Sequence, residues 1–79
     1  MNQKDKIKKI VREYCIKNNM ARISNEEAIS AVFAKMGSKM PHKNAVVVHL
    51  KGKEFKYDSK KREFGFRGQL DEDNALGRD

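Results

Sequence analysis

The feature that most constrains this chain is a change of hydrophobic period near residue 45. Before that point apolar side chains recur three and four residues apart. After it they alternate at every second residue. A helix with one apolar stripe and a strand with one apolar face each need a partner layer, so a chain that switches period in this way reads as α+β. The expected architecture is ααβββ, with two helices packed on one face of a three-stranded antiparallel meander.

The first helix is expected over residues 3 to 18. Ile7, Ile10, Val11, Tyr14 and Cys15 fall on one face, and Ile16 falls off it toward solvent. Asn18-Asn19 reads as its stop, because Asn tolerates the left-handed backbone at a helix end. The second helix is expected over 25 to 36. Ser24 and Glu27 form a capping-box pair, Glu26 and Glu27 suit the positive end of the helix dipole, and Gly37 closes it. Its stripe reads Ile29, Val32, Phe33 and Met36.

Residues 38 to 44 read as a loop around the single proline, Pro41. Val46, Val48 and Leu50 then read as one face of a strand, with Lys51-Gly52 as a hairpin turn. A second turn near 58 to 61 leads to a third strand at about 62 to 67, in a register that sets Phe55 opposite Phe64 and Lys56 opposite Glu63. The shared dry face is then Val46, Val48, Leu50, Phe55, Tyr57, Phe64 and Phe66. The other face is polar, as one-sided antiparallel sheets are.

Charge divides the chain in two. Residues 1 to 67 carry seventeen basic and seven acidic side chains, a net of +10. Residues 68 to 79 carry Arg78 against Asp71, Glu72, Asp73 and Asp79, a net of −3. The expected organisation is one basic domain, 1–67, and an acidic, flexible C-terminal tail, 68–79. The tail is expected to solubilise the chain or to fold back over the basic surface and screen it. No apolar run approaches the ~18 residues of a membrane-spanning helix. One cysteine, Cys15, allows no internal disulfide, and no secretory h-region follows the charged start, so the chain reads as cytoplasmic.

A positive charge of this density repels itself and attracts phosphates. The residues expected to meet nucleic acid are Lys51, Lys53, Lys56, Lys60, Lys61, Arg62 and Arg67 on the sheet and its turns. Lys8, Lys9 and Arg12 on the first helix join them, with Lys39 and Lys43 in the loop. Lys4, Lys6 and Lys17 add to the helix charge. The sheet face and turn tips are favoured over the helix.

The function expected is a small non-enzymatic nucleic-acid-binding protein. It holds phosphate backbones with low sequence specificity, because phosphate contacts position but do not specify. RNA is favoured over DNA, since neither helix suits a major groove. The rival reading is a phage or mobile-element accessory protein that binds and inhibits a host or defence protein, docking on an acidic partner or through RNA. A homodimer through sheet edges or Ile16 is a further expectation. No cofactor is expected. His42 and His49 are seven apart and have no metal-ligand company. A small RNase that uses His49 opposite Glu54 is the minor catalytic reading.

Arg62, Phe64, Gly65 and Phe66 resemble part of the aromatic motif of RNA-recognition domains, a likeness of under ten residues. That resemblance implies that both Phe rings stack on bases. Their shared face with five other apolar side chains predicts core packing instead. The order helix, helix, three strands also resembles the start of HU-type DNA-bending proteins, without their long arm. A winged helix has a similar order but requires a third helix, and the second helix, with Glu26 and Glu27 at its start, is a poor reader of a groove.

Overall fold

The computed structural model describes residues 2–67. In chain order these form α1 (Gln3–Lys17), β1 (Arg22–Ser24), α2 (Asn25–Met36), a short 3-10 turn (Gly37–Lys39), α3 (Lys43–Leu50), β2 (Phe55–Asp58) and β3 (Glu63–Phe66). The class is α+β, and the sheet is three-stranded and antiparallel. The expected tail, 68–79, lies outside the described residues. No helix is long and apolar enough to cross a membrane among the described residues.

The first two helices form where the pattern places them. Asn2 caps α1 by accepting the Asp5 N–H at 2.8 Å. Asn19 takes a left-handed φ of 53°, which lets the Met20 N–H turn back onto the Cys15 carbonyl at 2.8 Å. Ser24 caps α2 by accepting the Glu27 N–H at 3.1 Å. The Glu27 carboxylate does not close a capping box. It accepts a hydrogen bond from the Tyr14 hydroxyl at 2.6 Å and so ties α2 to α1. Ile7, Val11 and Cys15 of α1 and Ala28, Ala31 and Val32 of α2 are buried. Phe33, expected in the core, is 57% exposed.

The segment expected as the first strand is a helix. Lys43–Leu50 forms α3, capped by the His42 ring, whose Nδ1 accepts the Asn44 N–H at 3.2 Å. The run Val46-Val47-Val48 favours a strand by propensity, and burial overrides it. Val46 and Leu50, four apart, are fully buried, whereas Val48 is 62% exposed. In a strand all three would share one face; in a helix only Val46 and Leu50 do. Lys51-Gly52 is therefore no hairpin. It belongs to the turn between α3 and β2.

The third strand is β1, Arg22–Ser24, a segment the hydrophobic pattern passes over because it offers only Ile23. The sheet order is β1-β3-β2, so the sheet is not a meander. Ile23 lies opposite Phe64, and the Phe66 N–H donates to the Ala21 carbonyl at 2.7 Å. The β2–β3 register sets Phe55 against Phe66, Lys56 against Gly65 and Tyr57 against Phe64. It differs from the expected register by two residues, which keeps every side chain on its expected face. The difference arises at the turn. Asp58 stays in the strand, its carboxylate accepts the Lys60 and Lys61 N–H groups at 3.0 and 3.2 Å, and Arg62 closes the loop at φ 53°.

Phe55 and Phe66 stack with ring centroids 5.2 Å apart, and Tyr57 tilts against Phe64 at 4.9 Å. Phe55 and Phe64 are fully buried and Phe66 nearly so. They are core residues, and the base-stacking role implied by the RNA-recognition resemblance is overturned for them. Ile7, Val11, Cys15, Ile23, Ala28, Val32, Val46 and Leu50 complete the core. Burial pushes the Cys15 thiol up to about 11, so it is un-ionised at neutral pH and packs as a small apolar group.

The helical placement of Val46–Leu50 makes a direct prediction. Val48→Asp should leave the melting temperature within a few degrees, as surface changes of about 0.5 kcal/mol do. Val46→Asp should abolish the cooperative transition, because it buries an unpaired carboxylate. Equal damage from both, read by thermal circular dichroism, would mean a strand.

Candidate nucleic-acid interface

Two short segments bound the candidate site. One is α3 with the turn that leads into it. The other is the β2–β3 turn, residues 59 to 62. The α3 residues opposite its buried ridge are Asn44 and Val48, with Lys51 one turn further on; Lys43 opens the helix on the stripe of Val46 and Leu50, at the edge of the groove beside α2. Lys39 precedes it in the 3-10 turn. The β2–β3 turn presents Lys60, Lys61 and Arg62, all exposed. Asp58 is exposed too, but its carboxylate is engaged by the turn's own amides.

The two segments are braced against the same framework. The Lys51 ammonium lies 4.6 Å from the centre of the Tyr57 ring, which joins the end of α3 to β2. The Asn25 amide nitrogen donates to the Arg62 carbonyl at 3.0 Å, which fastens the base of the turn to the start of α2. Asn25 Nδ2 also reaches the Tyr57 hydroxyl at 3.2 Å. The helix pair α2–α3, followed by a two-stranded hairpin with a basic tip, has the element order of a winged helix. The third helix that this arrangement needs is α3. This is a likeness of topology, which fixes geometry and not activity.

The remaining expected residues divide. Arg12 is a structural pin: its Nη2 donates to Glu54 at 2.9 Å and its Nε donates to the other oxygen of the same carboxylate. The carboxylate's hydrogen bond raises the guanidinium's pKa further. This two-pronged pair holds the turn before β2 against α1. Lys9 lies 4.0 Å from Glu13 one helical turn on, a weak exposed pair. The Lys8 ammonium sits beside Gly52, 3.4 Å from where a Cβ would stand there. Lys8 therefore joins Lys51 and Lys53 at the α3–β2 turn. The backbone N–H of Arg67 donates to the Glu54 carbonyl at 2.8 Å.

Lys56 lies on the outer sheet face, in one row with Gly65 and Arg22. Arg22, which the sequence reading left aside, faces Glu63 at 3.8 Å. A depression of about 460 Å³ lies here, shared by Arg22, Lys56 and Lys60 with Asp58 and Glu63. Its mixed charge makes it a weaker phosphate seat than the turn tip. The expectation that favoured the whole sheet face therefore narrows to its tip, and α3 joins it.

Asn44 and Val48 went unread at the sequence level. The signal that could have found them is the pairing of Val46 with Leu50 at helical spacing after a Pro41-His42 start.

A second surface adjoins α3. Ile29, Phe33 and Met40 line a groove of about 420 Å³, with Glu26, Ser30 and Lys43 at its edge. Among the described residues no group of three or more His, Cys, Asp or Glu side chains is placed to hold a metal ion. The chain matches no protein-family model, no curated protein and no solved structure.

The left-handed Arg62 gives a test that separates backbone from charge. A non-glycine residue there costs roughly 1 kcal/mol. Arg62→Gly should hold the melting temperature or raise it by a few degrees, while Arg62→Val should lower it. A loss of stability in the glycine variant would mean that the arginine side chain supports the turn.

Proposed function

We propose that the protein is a small non-enzymatic nucleic-acid-binding domain that grips the phosphate backbone of a duplex with α3 and the β2–β3 turn. The observations that support this reading are the solvent-exposed Asn44–Val48 ridge of α3 and a turn tip of three consecutive exposed cations, with Lys51 at the end of α3 against Tyr57, the Arg62 carbonyl held by the Asn25 N–H, and Asn25 bonded to Tyr57. The net charge of +10 over residues 1 to 67 supplies the long-range attraction. Lys39, Lys43, Lys51, Lys60, Lys61 and Arg62 are the proposed contacts.

The preference for RNA rested on the lack of a helix fit for a major groove. With a third helix, α3, that turns Asn44 and Val48 to solvent, that reason falls away. The deep, narrow major groove of duplex RNA excludes a helix, whereas that of duplex DNA admits one. Duplex DNA is therefore the ligand this geometry favours.

A second reading has its own observation. Phe33 is 57% exposed beside Ile29 and Met40, and a large apolar side chain in a groove suits a protein partner. This surface supports the accessory-protein reading, in which the domain docks on another protein and blocks it.

Binding of fluorescent duplex DNA, duplex RNA and single-stranded RNA across a salt series separates these readings. Duplex DNA should bind most tightly. Its log–log salt slope should fall by about 2 to 3 when Lys60, Lys61 and Arg62 are all changed to Ala, since each phosphate contact contributes about 0.9. Lys56→Ala on the outer sheet face should leave the slope unchanged. No binding to any of the three at about 100 mM salt would overturn the proposal.

A further inference from the structure

The face that α3 turns to solvent is not simply basic. Its ridge opposite the buried Val46 and Leu50 is Asn44 and Val48, one helical turn apart, with Ala45 beside them. Among the described residues Val48 is the most exposed of the large apolar side chains, at 62%. An apolar residue at the centre of a solvent-facing ridge contributes nothing to the core and nothing to phosphate binding. Its chemistry suits the C5-methyl group of thymine, which apolar side chains contact in the major groove. Asn44 has the matching chemistry for the same base pair, because a carboxamide pairs with the N6 and N7 edge of adenine in two hydrogen bonds. The two side chains stand about 6 Å apart along the helix axis. Base pairs stack at about 3.4 Å, so the two reach positions one or two base pairs apart.

We infer that α3 reads A·T pairs in the major groove, with Asn44 on an adenine edge and Val48 on a thymine methyl group. This inference rests on the duplex-DNA reading above and adds base preference to it. Lys51, one turn beyond the ridge, holds an adjoining phosphate, while Lys60, Lys61 and Arg62 anchor the turn on the backbone. The low specificity expected from phosphate contacts alone is thereby raised over a short stretch of sequence. Each contact is expected to contribute roughly fivefold discrimination.

The test is selection of bound duplexes from a randomised DNA library by the full chain, followed by titrations on the enriched sequence. Enrichment of A·T pairs at two nearby positions is expected. Replacing the thymine of the enriched site by deoxyuridine removes only the methyl group. It should weaken wild type about fivefold and leave Val48→Ala unaffected. Asn44→Ala should lose discrimination at a single adenine position, with the salt slope and melting temperature unchanged, because both side chains are exposed. Salt-dependent binding to the library without enrichment, enrichment of G·C pairs, or a deoxyuridine effect that persists in Val48→Ala would overturn the inference and leave the phosphate-binding reading standing. Absence of binding to the whole library at low salt would overturn both.

Discussion

The arrangement depends on the burial of Val46 and Leu50. These two side chains, fully buried where α3 packs on α1 and α2, make a helix of a segment whose β-branched run favours a strand. Burying a Val or Leu side chain contributes roughly 1.5 to 3 kcal/mol, while intrinsic propensity differences are well under 1 kcal/mol per residue. Packing therefore wins. Once α3 is helical, Val48 and Asn44 point to solvent, Lys51 lies over Tyr57, and the sheet must find its third strand elsewhere. It finds it in Arg22–Ser24, whose single buried side chain, Ile23, lies opposite Phe64.

The basic charge becomes organised through this framework. Part of the cationic side-chain charge is engaged in ion pairs within the fold. Arg12 is committed to Glu54, Arg22 faces Glu63, and Lys9 lies by Glu13. The β2–β3 turn keeps three consecutive exposed cations outside these pairs. Its geometry is set by Asp58, whose carboxylate takes two backbone amides and leaves three consecutive cations at the tip. Arg62 accepts a left-handed backbone there, and its carbonyl is fastened by the first amide of α2. Position and charge are thus fixed by the same few residues.

Much of this was legible in the sequence, for local reasons. The stripe of Ile7, Val11 and Cys15 and the cap at Ser24 locate α1 and α2 almost to the residue, because capping and periodicity are short-range signals. The inward face of Phe55, Tyr57, Phe64 and Phe66 was also readable from alternation. What escaped depends on long-range packing. Val46, Val48 and Leu50 satisfy period two as well as Val46 and Leu50 satisfy period four, and only the tertiary environment decides between them. The β2–β3 register slipped by two because a two-residue shift conserves every face, and the turn chemistry of Asp58 and Arg62 alone breaks the tie. The candidate site followed the same division. Lys60, Lys61 and Arg62 were placed correctly at a turn tip, while Asn44 and Val48 belong to a helix that the alternation concealed.

In the proposed function α3 and the β2–β3 turn act as one surface toward a duplex. Residue-by-residue chemical-shift mapping, with an unlabelled DNA duplex titrated into isotope-labelled protein, tests it most directly. Shifts should cluster at residues 39 to 51 and 59 to 62, with the outer-face amides of Arg22 and Lys56 and the exposed side of α1 unchanged. Shifts confined to α1 or to the outer sheet face would contradict it.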